Sequence, residues 1–137
     1  MPTEIISGLW IGNMNDNFNT EFYNDNLISI VINCTTDQGF LDLPNLKKLR
    51  IPLSETMDPN RDIYLLSQNK RKIIDFIHKH IDHENILVCC YNGITISPLI
   101  VALYMMFYGN IEKDNIRDIL RSKNEKICID YDLSIFN

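Results

Sequence analysis

The sequence predicts an α/β layered fold, with strands and helices alternating along one chain. Three observations carry this. Residues 28–32, apolar and β-branched but for Ser29, and the apolar run 86–88 are of the kind that form buried strands. Residues 64–80 place Ile73, Ile74 and Ile77 at helical spacing, with Lys70, Arg71, Lys72 and Lys79 left for water. Strand-like runs alternate with polar turns and helix-like stretches along the chain, as expected of a sheet with helices packed on it.

Taken in order, residues 5–11 mix apolar positions with Gly8 and read as a short strand or strand pair. Residues 13–19 are polar and read as a loop, and residues 21–26 as a short helix. The strand at 28–32 continues into Asn33 and Cys34, and a turn follows at 35–39. A further strand is expected within 46–53, where Leu49, Ile51 and Leu53 alternate. Pro52 puts part of it at an edge or an end. Residues 54–62 form a polar loop carrying Glu55, Asp58 and Asp62. After the helix at 64–80, the strand at 86–88 runs into Cys89. Residues 91–96 are a loop, and Ser97-Pro98 opens a helix to about Tyr108, with serine as cap and proline in the first turn. Gly109 ends that helix, and another spans about 114–122.

The chain has 137 residues, 45% hydrophobic and 23% charged, which suits one domain over residues 1–137 with a core that needs no staples. A net charge of −5 gives no electrostatic footprint for nucleic acid or an anionic membrane. A small cationic site inside an acidic surface remains compatible with it. The start, Met1-Pro-Thr-Glu4, lacks a basic region, and the apolar stretch at 99–108 is too short to span a bilayer. The four cysteines are sparse, and two of them are adjacent, which does not suit a secreted disulfide framework. The expectation is a reduced protein, cytoplasmic or otherwise intracellular. Adjacent cysteines without a second Cys/His pair are not a zinc signature, so neither a metal nor a cofactor is implied.

The informative segment is Ile86-Leu-Val-Cys-Cys-Tyr-Asn-Gly-Ile-Thr-Ile-Ser-Pro98. A buried strand feeds a tight loop, which feeds a helix N-terminus. Backbone N–H groups of such a loop can converge on an anion, and the helix dipole favours negative charge there. Gly93 allows the turn, and Cys90 lies at the base of the cradle, where a thiolate is favoured. The plainer reading of the same residues is two small buried thiols and an ordinary glycine turn.

The whole pattern resembles the dual-specificity protein phosphatases of the cysteine-dependent phosphatase superfamily, whose signature is His-Cys-x-x-Gly-x-x-Arg followed by Ser or Thr. Cys90 falls on the nucleophile, Gly93 on the glycine and Ser97 on the hydroxyl residue. Beyond the loop, Gly8-Leu-Trp-Ile-Gly-Asn13, Val31-Ile-Asn-Cys-Thr35, Arg50-Ile-Pro-Leu53 and Ser97-Pro-Leu-Ile-Val-Ala-Leu-Tyr-Met-Met106 resemble the family's opening strand, next core strand, approach to the general-acid loop and post-signature helix. The resemblance implies a protein tyrosine phosphatase-like fold, a central mixed sheet flanked by helices. It also implies a phosphate loop of Cys90, Tyr91, Asn92, Gly93, Ile94, Thr95 and Ile96.

Two positions depart from the signature. Cys89 replaces the histidine, and Ile96 replaces the arginine. In the family the cysteine thiolate attacks phosphorus while the arginine grips two phosphoryl oxygens with a rigid, charged, bidentate fork. Isoleucine has no donor and no charge. The expectation is a catalytically impaired member, a pseudophosphatase with Cys90 as vestigial nucleophile and Ser97 beside it. A general acid would come from Glu55, which aligns best, or from Asp58, and both also read as solvated loop carboxylates. Asn92 and Thr95 are candidate neutral donors to an anion. Arg117, Arg121, Lys47, Lys48 and Arg50 are considered as stand-in cations, with structural ion pairs or surface charges the favoured reading for Arg117 and Arg121. Cys34 is either a redox partner for Cys90 or a buried core thiol. The implied partner is a phosphorylated protein or a signalling protein. The small size and aromatic content leave room for a homodimer. The other readings are a weakly active protein-tyrosine/serine/threonine phosphatase and a pure scaffold whose old pocket is filled by Ile96.

Overall fold

The computed structural model describes residues 2–136. Its strands are β1 (Thr3–Ile6), β2 (Leu9–Gly12), β3 (Ile28–Asn33), β4 (Lys47–Arg50) and β5 (Asn85–Cys89). Its helices are α1 (Met14–Asn17), α2 (Thr20–Asp25), α3 (Tyr64–His80), α4 (Ile96–Tyr108) and α5 (Lys113–Lys123). A π-helical turn over Pro59–Ile63 leads into α3, and a 3-10 turn over Leu133–Phe136 closes the chain. The sheet order is β1-β2-β5-β3-β4. Only β1 and β2 are antiparallel, so the sheet is mixed and its middle is parallel.

The first strand-like segment is a pair. Gly8, at φ +84, makes the turn between β1 and β2, a conformation that glycine adopts without penalty. The following stretch, expected to be a loop, holds α1. Asn13 caps it by accepting from Asp16 N–H, and Asp16 returns a bond to Asn13 N–H. Two reciprocal cap bonds stabilise a four-residue turn that hydrophobic periodicity cannot reveal. β4 stops at Arg50, before Pro52, because proline has no N–H to give the ladder.

β5 is central and covered on both faces, which explains its unbroken apolar run. Ile86, Val88 and Cys90 face the larger core, with α3 and α4. Leu87 and Cys89 face a smaller core with Phe22, Tyr23 and Val31. Leu66, Ile73, Ile74 and Ile77 of α3 pack into the larger core. Each such side chain, taken from water, contributes about 1.5–3 kcal/mol. No helix among the described residues is long and apolar enough to cross a membrane.

Candidate functional site

The ladder continues one residue past the end of β5. Cys90 N–H donates to Gly12 O at 3.1 Å, and Cys34 N–H donates to Cys89 O at 2.8 Å. This brings three strand ends together and sets Cys90 at their mouth. The chain then turns through Gly93, whose φ is +76. A Cβ there would meet the Asn13 backbone nitrogen at 2.8 Å and the Gly12 carbonyl carbon at 2.9 Å. Both the positive φ and the close approach to the β2–α1 junction demand glycine.

The loop folds around the Cys90 sulfur. Gly93 N–H and Ser97 N–H each donate to Cys90 Sγ at 3.2 Å, and Ser97 Oγ also lies 3.2 Å from it. Cys90 and Ser97 are fully buried. Ser97 was expected to cap α4. Its hydroxyl instead faces the thiol, and Thr95 is the cap residue, without a side-chain cap bond. Gly109 does follow α4, but in right-handed conformation.

The side-chain oxygen of Asn92 accepts from Ile94 N–H at 3.0 Å, Thr95 N–H at 3.3 Å and Thr95 Oγ1 at 3.1 Å. It lies 3.7 Å from Cys90 Sγ. Asn92 thus acts as acceptor in this loop, and Thr95 spends its hydroxyl on Asn92. Tyr91 points to the rim, where its hydroxyl donates to Asp37 at 2.6 Å and accepts from Thr36 N–H at 3.3 Å. The carbonyl of Ile94 is held from outside by Cys128 N–H at 2.8 Å. A backbone donor of this kind leaves no sequence signal.

Ile96 is 1% exposed and belongs to the larger core with Leu99 and Ile100. Cys89 lies on the opposite face, where its Sγ contacts Ile32 O at 3.7 Å. Burial, reinforced by the neighbouring Cys90, pushes the Cys89 thiol far up. Cys34 is a fully buried free thiol, pushed up by burial and then by Cys90 and Cys89. Both thiols are held protonated, which disfavours attack on a partner sulfur.

The cations considered as stand-ins are engaged elsewhere. Arg50 donates to Thr35 O at 2.9 Å and Gln38 O at 2.7 Å and lies over the Phe40 ring. Lys47 pairs with Glu84, and Lys48 lies over Phe40. Arg121 donates to Ile127 O at 3.2 Å, and Arg117 donates to Tyr131 O. The two arginines of α5 tie down the tail through carbonyls rather than ion pairs.

The 54–62 loop is organised by a residue other than the two candidate acids. Glu55 is exposed in a turn, and Asp58 caps the π-helical turn through Asn60 N–H at 2.8 Å. Neither hydrogen-bonds the 90–97 loop among the described residues. Asp62, 0% exposed, accepts from Asp58 N–H at 2.8 Å, Ser54 N–H at 3.3 Å, the Ser54 hydroxyl and Arg61. Burial pushes its carboxyl up, but these hydrogen bonds and the Arg61 charge outweigh that and hold it below the ordinary value. A depressed folded-state pKa contributes stability above the unfolded value, and that stability is lost as pH falls. Asp62→Asn is therefore expected to cost on the order of 2 kcal/mol at pH 7. The gap from wild type should close below about pH 4. Urea unfolding at pH 7 and pH 3 checks this, and a gap independent of pH would refute it.

A buried cysteine ringed by N–H donors, at the end of a parallel strand and the start of a helix, defines a cysteine-based phosphate-loop domain. The dual specificity phosphatase catalytic domain matches residues 9–133, and the chain belongs to that family. Its fold is similar to that of human DUSP28, with a TM-score of 0.85 at 16% identity, covering 98% of this chain and 89% of that one. DUSP15 gives 0.84 at 22% identity, covering 98% and 84%. Human tyrosine phosphatase-like serine/threonine/tyrosine-interacting protein gives 0.82 at 16% identity, covering 98% and 92%. No curated protein matches the sequence.

Proposed function

We propose that this chain is a catalytically impaired dual-specificity phosphatase that regulates phosphorylation signalling by binding, its partner being a phosphorylated protein or another signalling protein. The observation that carries the reading is the fate of the arginine position. Ile96 is committed to the core, and Arg50, Arg117, Arg121, Lys47 and Lys48 are committed to other contacts. Phosphoryl transfer to Cys90 would break the bond from phosphorus to the leaving oxygen as the bond to sulfur forms. Charge then builds on the equatorial phosphoryl oxygens, where the family's arginine would hold it. Losing even one preorganised donor of that kind costs about 10²–10³ in rate. The remaining N–H groups and the Ser97 hydroxyl support recognition of an anion without that clamp.

A second reading, a weak phosphatase, draws on the two N–H donors, Gly93 and Ser97, that point to Cys90 Sγ, the environment a nucleophile needs. Hydrolysis of a small aryl phosphate separates the two. Wild type and Cys90→Ser are expected to be indistinguishable. Robust turnover that disappears in Cys90→Ser would overturn the impaired reading.

A further inference from the structure

The cradle is not empty in the ligand-free chain. We infer that Asn92 is an internal occupant of the anion seat, so that a phosphoryl group enters only by displacing the Asn92 side chain. This deepens the phosphoryl-binding reading above and rests on it. The Asn92 carbonyl oxygen collects three donors at once: Ile94 N–H, Thr95 N–H and the Thr95 hydroxyl. Thr95 caps the 13-residue helix α4, so this oxygen also meets the positive end of the helix dipole. It lies 3.7 Å from Cys90 Sγ, the sulfur that an entering phosphorus would approach. A neutral amide oxygen thus takes the donors that a phosphoryl oxygen needs.

The occupant is built to leave. Asn92 is solvent-exposed, and its Nδ2 has no hydrogen-bond partner among the described residues. The side chain is therefore held inward through its oxygen alone, by these three donors and the Cys90 thiol. Its carbonyl can transfer to water, while the same donors pass to a charged oxygen that binds them about twice as strongly. In the ligand-free chain the N–H groups of Gly93 and Ser97 point instead to Cys90 Sγ. The result is selectivity by charge. A phosphate dianion outcompetes the amide, and a neutral ligand does not.

The experiment is calorimetric titration of inorganic phosphate into wild type, Asn92→Ala and Asn92→Asp, with amide hydrogen exchange at Ile94 and Thr95 measured on each ligand-free protein. Asn92→Ala should bind phosphate about tenfold more tightly than wild type, from the loss of competing hydrogen bonds. Asn92→Asp keeps the acceptor and adds a negative charge, so it should bind more weakly than wild type. Both amides should exchange faster in the alanine variant than in wild type. A side chain needed only to order the loop would give the opposite pattern, with weaker binding in alanine, and that result overturns the inference. Equal affinity in wild type and alanine also overturns it. If none of the three proteins binds phosphate, the phosphoryl reading falls. The exchange data then decide the occupancy separately, and unchanged exchange at Ile94 and Thr95 overturns that as well.

Discussion

Replacing Ile96 with arginine is expected to cost about 3 kcal/mol of stability and, alone, to return little hydrolysis. The sequence alone suggests a simple restoration of one lost residue. The packing argues otherwise. Ile96 is buried at the first turn of α4, in contact with the larger core. The variant loses that apolar burial, and its guanidinium must either enter the core uncompensated or swing out to the cradle. There it meets the donors already turned toward Asn92 and Cys90. Activity should therefore rise further when Asn92→Ala is added to Ile96→Arg, and the increase should vanish with Cys90→Ser. Urea unfolding and aryl phosphate hydrolysis on the same variants check both parts. A fully stable Ile96→Arg protein with robust Cys90-dependent turnover would show that one residue is all that separates this chain from an active enzyme.

The second large effect lies at the other end of the chain. Phe136→Ala is expected to lose about 3–5 kcal/mol. Phe136 is fully buried in the larger core. The tail it anchors is further held by Lys70 on the Phe136 carbonyl, by Arg117 and by Arg121. That tail supplies the Cys128 N–H that holds Ile94 O, so loosening it should also speed amide exchange at Cys128. Ile135→Ala, at a side chain that is 49% exposed, is the matched control and should change stability by well under 1 kcal/mol. A loss below 1 kcal/mol for Phe136→Ala would mean the tail is not part of the core.

Much of the fold was legible because its signals are local. The helix at 64–80 was bounded correctly by periodicity. Apolar runs, broken in β3 only by Ser29, marked β3 and β5 as buried strands. The α1 cap pair was also local, but Asn13 and Asp16 carry no hydrophobic pattern and were taken for loop residues. Asp62 was noted only as one of several loop carboxylates. Its choice as hub over Glu55 or Asp58 depends on which carboxylate the loop turns inward, and no single-residue property records that.

By itself, the sequence determined that the loop after β5 has a cysteine, a glycine and a hydroxyl at phosphate-loop spacing and an isoleucine where a phosphoryl clamp would need a cation. These are matters of residue type, and chemistry follows directly from them. Only the tertiary structure decided where the side chains go. Ile96 is buried in the larger core, because burial of an aliphatic group is favourable there. Ser97 turns its hydroxyl to the thiol, and Asn92 turns its oxygen to the loop, because buried or crowded N–H groups must find an acceptor close by.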